Sequence, residues 1–324
     1  MLKISVAMCT YNGTRFLQEQ LASLVAQRRQ PDELVVYDDC STDNSVELLQ
    51  HFSRTSPFPV RINTNESNLG STANFEQAIN SCEGDIIALC DQDDIWSPEK
   101  LHLFEQRFTE DPGISLIFTD ADIVDDEAQL LGYKLWESLR FDKQLQELIK
   151  STDSFEILSQ RQVVTGATMA FRATFKDLVL PIPRDIPLIH DGWIALMISL
   201  VGRLDLLEKP LIKYRQHESQ QMGAPVNGPP PSPSGILGKA QHHYSFVGEL
   251  KKLEAVWERV ESRKGQYDFT REQSLAERLK HVRSRVAISQ NKLSNIPSAF
   301  VELFAGRYHR YSHGFSSLVK DLVR

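Results

Sequence analysis

The chain has 324 residues, 41% of them hydrophobic and 24% charged, and a net charge of −7. That is the make-up of a soluble globular protein, long enough for one large domain with an appendage or for two domains. It excludes a membrane-spanning protein, because no apolar run approaches the roughly 20 residues that cross a bilayer.

The opening run, Met1 to Cys9, carries a single lysine and no small-residue cleavage site, so it reads as a first strand over Ile4 to Cys9 rather than a signal peptide. Thr10-Tyr11-Asn12-Gly13 follows directly. Tyr11 there could stack on a base or simply flank an Asn-Gly turn. No lysine-bearing phosphate loop and no G-x-G-x-x-G follows this strand, which weakens ATPase and nicotinamide readings. A helix is expected over about Arg15 to Gln27, then a strand over Glu33 to Tyr37 that ends in Asp38-Asp39. A carboxylate at that strand end could accept the N–H of a pyrimidine base. Ser41 or Thr42 could equally cap the next helix, about Asp43 to Phe52. A strand over Val60 to Asn63 and a helix over Ser71 to Ser81 complete this stretch.

Asp85 to Cys90 is a short apolar run bounded by Gly84 and by acids, the pattern of a buried strand. Asp91, Asp93 and Asp94 crowd its C-terminal end. Three carboxylates within four residues repel one another unless something positive sits among them. Oxygen-rich sets of this kind suit Mg²⁺ or Mn²⁺, which often share their ligands with substrate phosphates. A solvated acidic turn ahead of the helix from Pro98 to Phe108 is the plainer alternative. The four cysteines, Cys9, Cys40, Cys82 and Cys90, have no C-x-x-C spacing, so zinc and redox motifs find no support, and a reducing, cytosolic setting follows.

After a strand over Ile114 to Phe118, residues 130–221 mix helices with strands over Val163 to Arg172 and Pro210 to Tyr214. Gly166 could permit close backbone approach to a sugar or merely serve a tight strand entry. Asp191, at the opening of a helix from Asp191 to Val201, is either an N-terminal cap or a general base. His217 could complete a metal shell or touch a phosphate. Strands alternating with helices argue for an α/β domain with a mainly parallel central sheet, and ligands in such sheets bind beyond the strands' carboxyl ends. The polar clusters each follow a strand, so they should converge on one crevice. Domain limits are expected at 1–223, with a Pro- and Gly-rich linker over 224–235 and a mainly helical region over 236–324. That last region holds 16 Lys and Arg against 9 Asp and Glu, a net +7, which leaves −14 for the rest. Its basic character, without an aromatic-studded stripe or a recognisable module, argues against nucleic acid as a partner. The tail from Phe304 to Arg324 mixes aromatic, aliphatic and basic residues. It suits an interfacial segment on an anionic bilayer through Arg307, Arg310 and Lys320, or equally a helix packed on the body or on a second subunit.

Taken together, Val6 to Gly13, Val36 to Asp43, Asn68 to Gly70, Leu89 to Pro98, His190 to Trp193 and Tyr214 to His217 resemble, in order, a family 2 glycosyltransferase of the GT-A type. The likeness spans roughly Met1 to Met222, and its later segments resemble rhamnosyltransferases of bacterial surface polysaccharides. It implies a Rossmann-like GT-A fold with a C-terminal helical extension. It also implies a nucleotide-sugar donor held by Thr10, Tyr11, Asn12, Asp39, Gly70, Asp91 and Gly166. A divalent cation would lie on Asp93 and Asp91, with His217 and Asp94 as further ligand candidates, and Asp191 would be the base of an inverting transfer. The implied donor is deoxythymidine-diphosphate rhamnose or a uridine-diphosphate sugar. The implied acceptor is a glycan or a lipid-linked one, met in the cytoplasm or at the inner membrane face. The Q-x-x-R-W motif of processive synthases is absent, since none of Trp96, Trp136, Trp193 or Trp257 follows an arginine. Two rivals stand beside this reading. A nucleotidyltransferase would need a Gly-rich, lysine-bearing first loop, and a silent nucleotide-sugar binding module would bind donor without releasing nucleoside diphosphate.

Overall fold

The computed structural model describes residues 1–151, 154–218, 220, 246–312 and 314–323. The expected linker over 224–235 and the start of the helical region at 236 lie outside the described residues. Two compact units divide the chain, the first made of residues 1–184 and 189–230, the second of 185–188 and 231–324.

In the first unit the elements run β1 (Ile4–Thr10), α1 (Thr14–Val25), β2 (Glu33–Asp38), α2 (Ser45–Thr55), β3 (Val60–Thr64), α3 (Ser71–Ser81), β4 (Ile86–Cys90), β5 (Ile95–Trp96) and α4 (Lys100–Glu110). They continue with β6 (Ile114–Val124), β7 (Leu130–Lys134), α5 (Leu135–Ser138), α6 (Lys143–Lys150), α7 (Ser154–Leu158), β8 (Met169–Arg172), α8 (Lys176–Val179), α9 (His190–Ser199) and β9 (Arg203–Arg215). The strands form one sheet in the order β3-β2-β1-β4-β8-β6-β9-β5, with β7 beside β6. Apolar residues on β1, β2 and β4 (Val6, Met8, Val36, Ile86, Ala88) pack against Leu17 and Leu21 of α1 and Phe104 of α4. Strands covered on both faces read as near-continuous apolar runs, which is why these were legible.

The long strands run parallel, as expected, and β8 and the short β5 and β7 are the antiparallel members. The pairs β1–β2, β1–β4, β2–β3 and β6–β9 are parallel. The pairs β4–β8, β6–β8, β5–β9 and β6–β7 are antiparallel. β8 runs backwards between two parallel neighbours, so β1, β2, β4, β6 and β9 still deliver their carboxyl ends to one edge. Three further elements differ from expectation. β6 continues past Phe118 because Asp120 is satisfied inside the protein by the backbone N–H groups of Ala121 (2.8 Å) and Trp136 (3.0 Å). β9 begins at Arg203 and carries Pro210 opposite Asp120, where the register shifts and no ladder donor is required. The segment from Val163 becomes strand only at Met169, because Gly166 to Thr168 close a 3₁₀ turn first.

The second unit holds α10 (Phe246–Arg263), α11 (Glu272–Gln290), α12 (Lys292–Phe304), α13 (Arg307–Tyr311) and α14 (Phe315–Val323). Its small apolar centre is Ile288, Ala299, Tyr308 and Leu318. A charged network lies beside it. Arg307 grips both oxygens of Glu302 at 2.7 and 2.8 Å, and Arg285 grips both oxygens of Asp321 at 2.7 and 2.9 Å. Arg307 is thereby ion-paired inside the unit.

Candidate active site

At the ends of β1 and β2 the sequence places one carboxylate for structure and one for loop control. Asp38 is fully buried and accepts the hydroxyls of Thr10 (2.7 Å) and Ser41 (2.6 Å) and the N–H of Ser41 (2.8 Å). The Thr10 hydroxyl is thus turned into the protein. Asp39 accepts the N–H groups of Leu69 and Gly70 and the amide of Asn65, each at 2.8 Å, and so fastens the loop that leads into α3. Gly70 sits at φ 82, which favours glycine. Neither Ser41 nor Thr42 caps α2, whose first N–H groups are served by Asp43, at 3.0 Å from the Ser45 nitrogen.

The Tyr11 to Gly13 loop is clamped by a side chain from the acidic turn. Gln92 accepts the Tyr11 N–H (2.9 Å) and donates to the Tyr11 carbonyl (3.0 Å). Asn12, at φ 48, accepts the Thr42 N–H at 2.8 Å. With its backbone held, Tyr11 leaves its side chain exposed.

The three acids after β4 part company. Asp93 pairs with His217, Oδ2 to Nε2 at 2.8 Å, joining the end of β4 to the residues beyond β9. Asp94 is fully buried; its Oδ1 accepts the Arg215 N–H at 3.1 Å, and its Oδ2 has no hydrogen-bond partner among the described residues. Burial, with Asp93 and Asp91 adding repulsion, pushes the Asp94 carboxyl well up. Asp91 is raised to about 7, first by burial and then by the charges of Asp93 and Asp191.

Two cations lie among these acids. Lys100 is fully buried, its Nζ 2.5 Å from the Ala167 carbonyl and 3.5 Å from the centre of the Trp96 ring. Burial lowers it to about 7, while Asp94 and Asp91 pull the other way. Arg215 is also buried. It donates to the carbonyls of Asp93 (2.8 Å) and Asp126 (2.5 Å), pairs with Glu19, and stacks over Phe16. Cations held this way offset part of the acidic charge and fix the loop between β4 and β5.

Asp191 stands in the first turn of α9, a helix buried on every side. It is not the N-cap residue, which is Ile189. Its Oδ1 accepts Gln162 Nε2 (2.8 Å) and the Gly192 N–H (2.6 Å), and its Oδ2 accepts the Gly166 N–H (2.9 Å). Three donors fix its direction. A Cβ on Gly166 would lie 3.0 Å from His190 Nε2, so glycine is what permits this approach. His190 stacks on Phe75, with ring centres 4.1 Å apart, and burial lowers its basicity. It is a packed histidine.

The sequence-derived candidates therefore gather into one neighbourhood. Asp91 feels Asp93 and Asp191, and Cys9 feels both Asp91 and Asp39. Sequence reading missed Gln92, Lys100 and Gln162. Each lies in a polar run that reads as surface, and no spacing singles it out. Among the described residues no group of three or more His, Cys, Asp and Glu side chains is arranged to hold a metal. The Asp93–His217 pair fits a cation as two ligands of a larger shell. Adjacent ligands at about 2.1 Å around an octahedral ion lie about 3 Å apart, close to the separation seen.

The family model "Glycosyl transferase family 2" matches residues 5–173. Among curated relatives, an uncharacterized glycosyltransferase of Nostoc sp. is 25% identical over 217 residues, covering 67% of this chain and 65% of its own length. An uncharacterized protein of Mycobacterium tuberculosis is 24% identical, and the match covers 66% of this chain and 59% of that protein. The chain thus spans less than two thirds of these relatives. The dTDP-rhamnosyl transferase RfbG of Shigella flexneri is 27% identical over 233 residues, covering 68% of this chain and 75% of RfbG. Among solved structures, S. aureus TarS 1-349 in complex with UDP-GlcNAc superposes with a TM-score of 0.60 at 18% identity, over 87% of this chain and 72% of that one. The mannosyltransferase PcManGT from Pyrobaculum calidifontis, in complex with GDP-Man and Mn²⁺, gives a TM-score of 0.51 at 14% identity, over 94% and 75%. The family model covers more than half of the chain and includes the loops after β1 and β2 and the acidic turn; the chain belongs to glycosyl transferase family 2 and has the GT-A fold.

Proposed function

We propose that the protein transfers one sugar from a nucleotide-diphosphate sugar to an acceptor hydroxyl, with inversion and with a divalent cation, Mg²⁺ or Mn²⁺. The observation that carries this is the convergence of Asp93–His217, the clamped Tyr11 loop and the triply bonded Asp191 on one sheet edge. Tyr11, Asn12, Asp39 and Gly70 form the nucleoside end; Thr10 acts there through Asp38. Asp93 and His217 would hold the cation, with Asp91 and Asp94 beside it, and when bound it would offset the charge growing on the leaving diphosphate. Asp191 takes the proton of the acceptor hydroxyl as its oxygen attacks the anomeric carbon and the bond to the diphosphate breaks. The bonds from Gln162, Gly192 and Gly166 keep that carboxylate aimed, and Gly166 leaves room for the sugar.

A deoxythymidine-diphosphate rhamnose donor is favoured by the likeness to RfbG, with a uridine-diphosphate sugar as the competing choice. A glycan or lipid-linked acceptor of a bacterial surface polysaccharide and a cytoplasmic location complete the reading. The test is a thermal-shift screen of nucleotide sugars with and without Mn²⁺, followed by assay of nucleoside diphosphate release. One donor should raise the melting temperature in a metal-dependent way. Asp93→Asn should remove that metal dependence. Asp191→Asn should keep donor binding and abolish transfer; full activity would show that another group is the base. Donor binding without any release of nucleoside diphosphate would leave a silent binding module instead.

A further inference from the structure

In the second unit two packed helices carry their polarity the wrong way round for a water-facing surface. α12 turns its one carboxylate, Glu302, inward to Arg307 and His281, and turns Ile296, Phe300, Val301 and Phe304 outward. Its inward side is apolar as well, through Ala299 and Leu303. A helix that is apolar nearly all round belongs in a buried setting. α14, packed on α12, repeats the pattern: Asp321 points inward to Arg285 and Tyr308, while Phe315 and Val319 point outward. Phe304 is 85% exposed and Phe315 63%. Single exposed apolar residues are ordinary, but i, i+4 aromatic–aliphatic sets on adjacent helices, held outward by buried ion pairs, are not.

The charges around these residues name the occupant. Both acids of α12, α13 and α14 are buried and matched to arginines, so no carboxylate is exposed among the described side chains from 294 to 322. The exposed charges there are Arg310 and Lys320. A second copy of this face would bring like charges together, which disfavours pairing. An anionic lipid surface satisfies both features: the apolar side chains enter the headgroup boundary and the basic ones meet lipid phosphates. No helix among the described residues is long and apolar enough to cross a membrane, so the contact is interfacial. We infer that α12 and α14 form a docking face for an anionic membrane, with Phe300, Phe304, Phe315 and Val319 inserting and Arg310 and Lys320 supplying charge. Arg307 has no part in it.

The full-length protein is mixed with vesicles of equal phosphatidylcholine and phosphatidylglycerol, or of phosphatidylcholine alone, and sedimented. Binding to the anionic vesicles is expected, weakening with salt, and much weaker binding to the neutral ones. Phe304→Ser with Phe315→Ser, and separately Arg310→Glu with Lys320→Glu, should each weaken anionic binding about tenfold or more. Arg307→Lys, which keeps a cation on Glu302, should bind like the wild type. Circular dichroism confirms that each variant is folded, and all four changed positions in the two double variants are exposed. Equal binding to both vesicle types, or unchanged binding by either double variant, would overturn the inference. So would a lipid-free dimer, seen by light scattering, that the Phe304→Ser, Phe315→Ser variant dissociates.

Discussion

At the scale of single residues, the site rests on charges that water does not reach. Lys100 touches a carbonyl, a tryptophan face and the field of two carboxylates, yet Ser97-Pro98-Glu99-Lys100 reads as the solvated start of a helix. Nothing in its spacing betrays burial, because only packing of α4 beneath the acidic turn removes it from water. Lys100→Met keeps the stem over Trp96 but strips the donor from the Ala167 carbonyl and the cation from beside Asp94. Asp94 can take up a proton, which limits the loss to about 1–3 kcal/mol. Urea unfolding measures it, and combining Lys100→Met with Asp94→Asn should cost less than the two single losses added. Asp91, Asp93 and Asp191 were legible because carboxylates at strand ends and helix starts stand out against apolar runs. Gln162 and Gln92 were not, since glutamines in polar loops carry no pattern.

At the scale of elements, the loops that shape the site are set by close approaches of backbone. Gly84 precedes β4, where a Cβ would lie 2.8 Å from the Ser5 nitrogen and 2.9 Å from the Lys3 carbonyl. Those atoms belong to the β1 ladder and cannot yield, so Gly84→Ala should lower stability by about 1–3 kcal/mol in denaturant titration. Gly13 presents the opposite case: a Cβ there would meet the end of the Gln92 side chain, at 2.2 Å from Oε1. That amide can swing away at little cost in stability but would release both bonds to Tyr11. Gly13→Ala should therefore melt nearly like the wild type while binding donor about tenfold more weakly by calorimetry. Equal donor affinity would show that the Gln92 clamp does not shape the site. Helix α3 was legible, read as about Ser71 to Ser81, because its apolar residues Ala73, Phe75, Ala78 and Ile79 share one buried side. β6 and β9 were read short, since Asp120 and Pro210 look like strand breakers until the register shift between them is seen.

At the scale of the whole molecule, the second unit depends on pH in a way the first does not reveal. His281 is buried, with Nδ1 2.9 Å from Glu302 and Nε2 3.0 Å from the Ser312 hydroxyl, which Arg285 also donates to. Burial lowers its pKa despite the Glu302 bond, and the charges of Arg285 and Arg278 act in the same sense as burial. Burial pulls Glu302 up, but its bonds from Arg307 and His281 outweigh this and hold it below the usual carboxylate range. Both folded values are depressed, so the unfolded chain binds more protons and acid destabilises. The His281 contribution is complete above the ordinary histidine value of about 6.5 and is lost as pH falls below it. Glu302 adds a further loss at more acid pH. Amide protection across α11, corrected for intrinsic exchange, should decline as pH drops through about 6.5, and His281→Gln should flatten that decline.

The family, the α/β class and most of the acids that meet in the crevice were determined by the sequence alone. Buried strands and the carboxylates at their ends are local patterns, and each survives without knowing what lies across the sheet. Only the tertiary structure decided which partners each acid meets. Asp38 and Asp94 differ from Asp39 and Asp93 by one position each, yet Asp38 holds the Thr10 and Ser41 hydroxyls while Asp39 holds the loop into α3, and Asp94 is buried while Asp93 meets His217. It also decided that β8 runs antiparallel, that His217 reaches Asp93, and that α12 and α14 hide their carboxylates and show their phenylalanines. Those outcomes depend on partners far away in the chain, and burial and ion pairing between such partners leave no mark on the residues nearby in sequence.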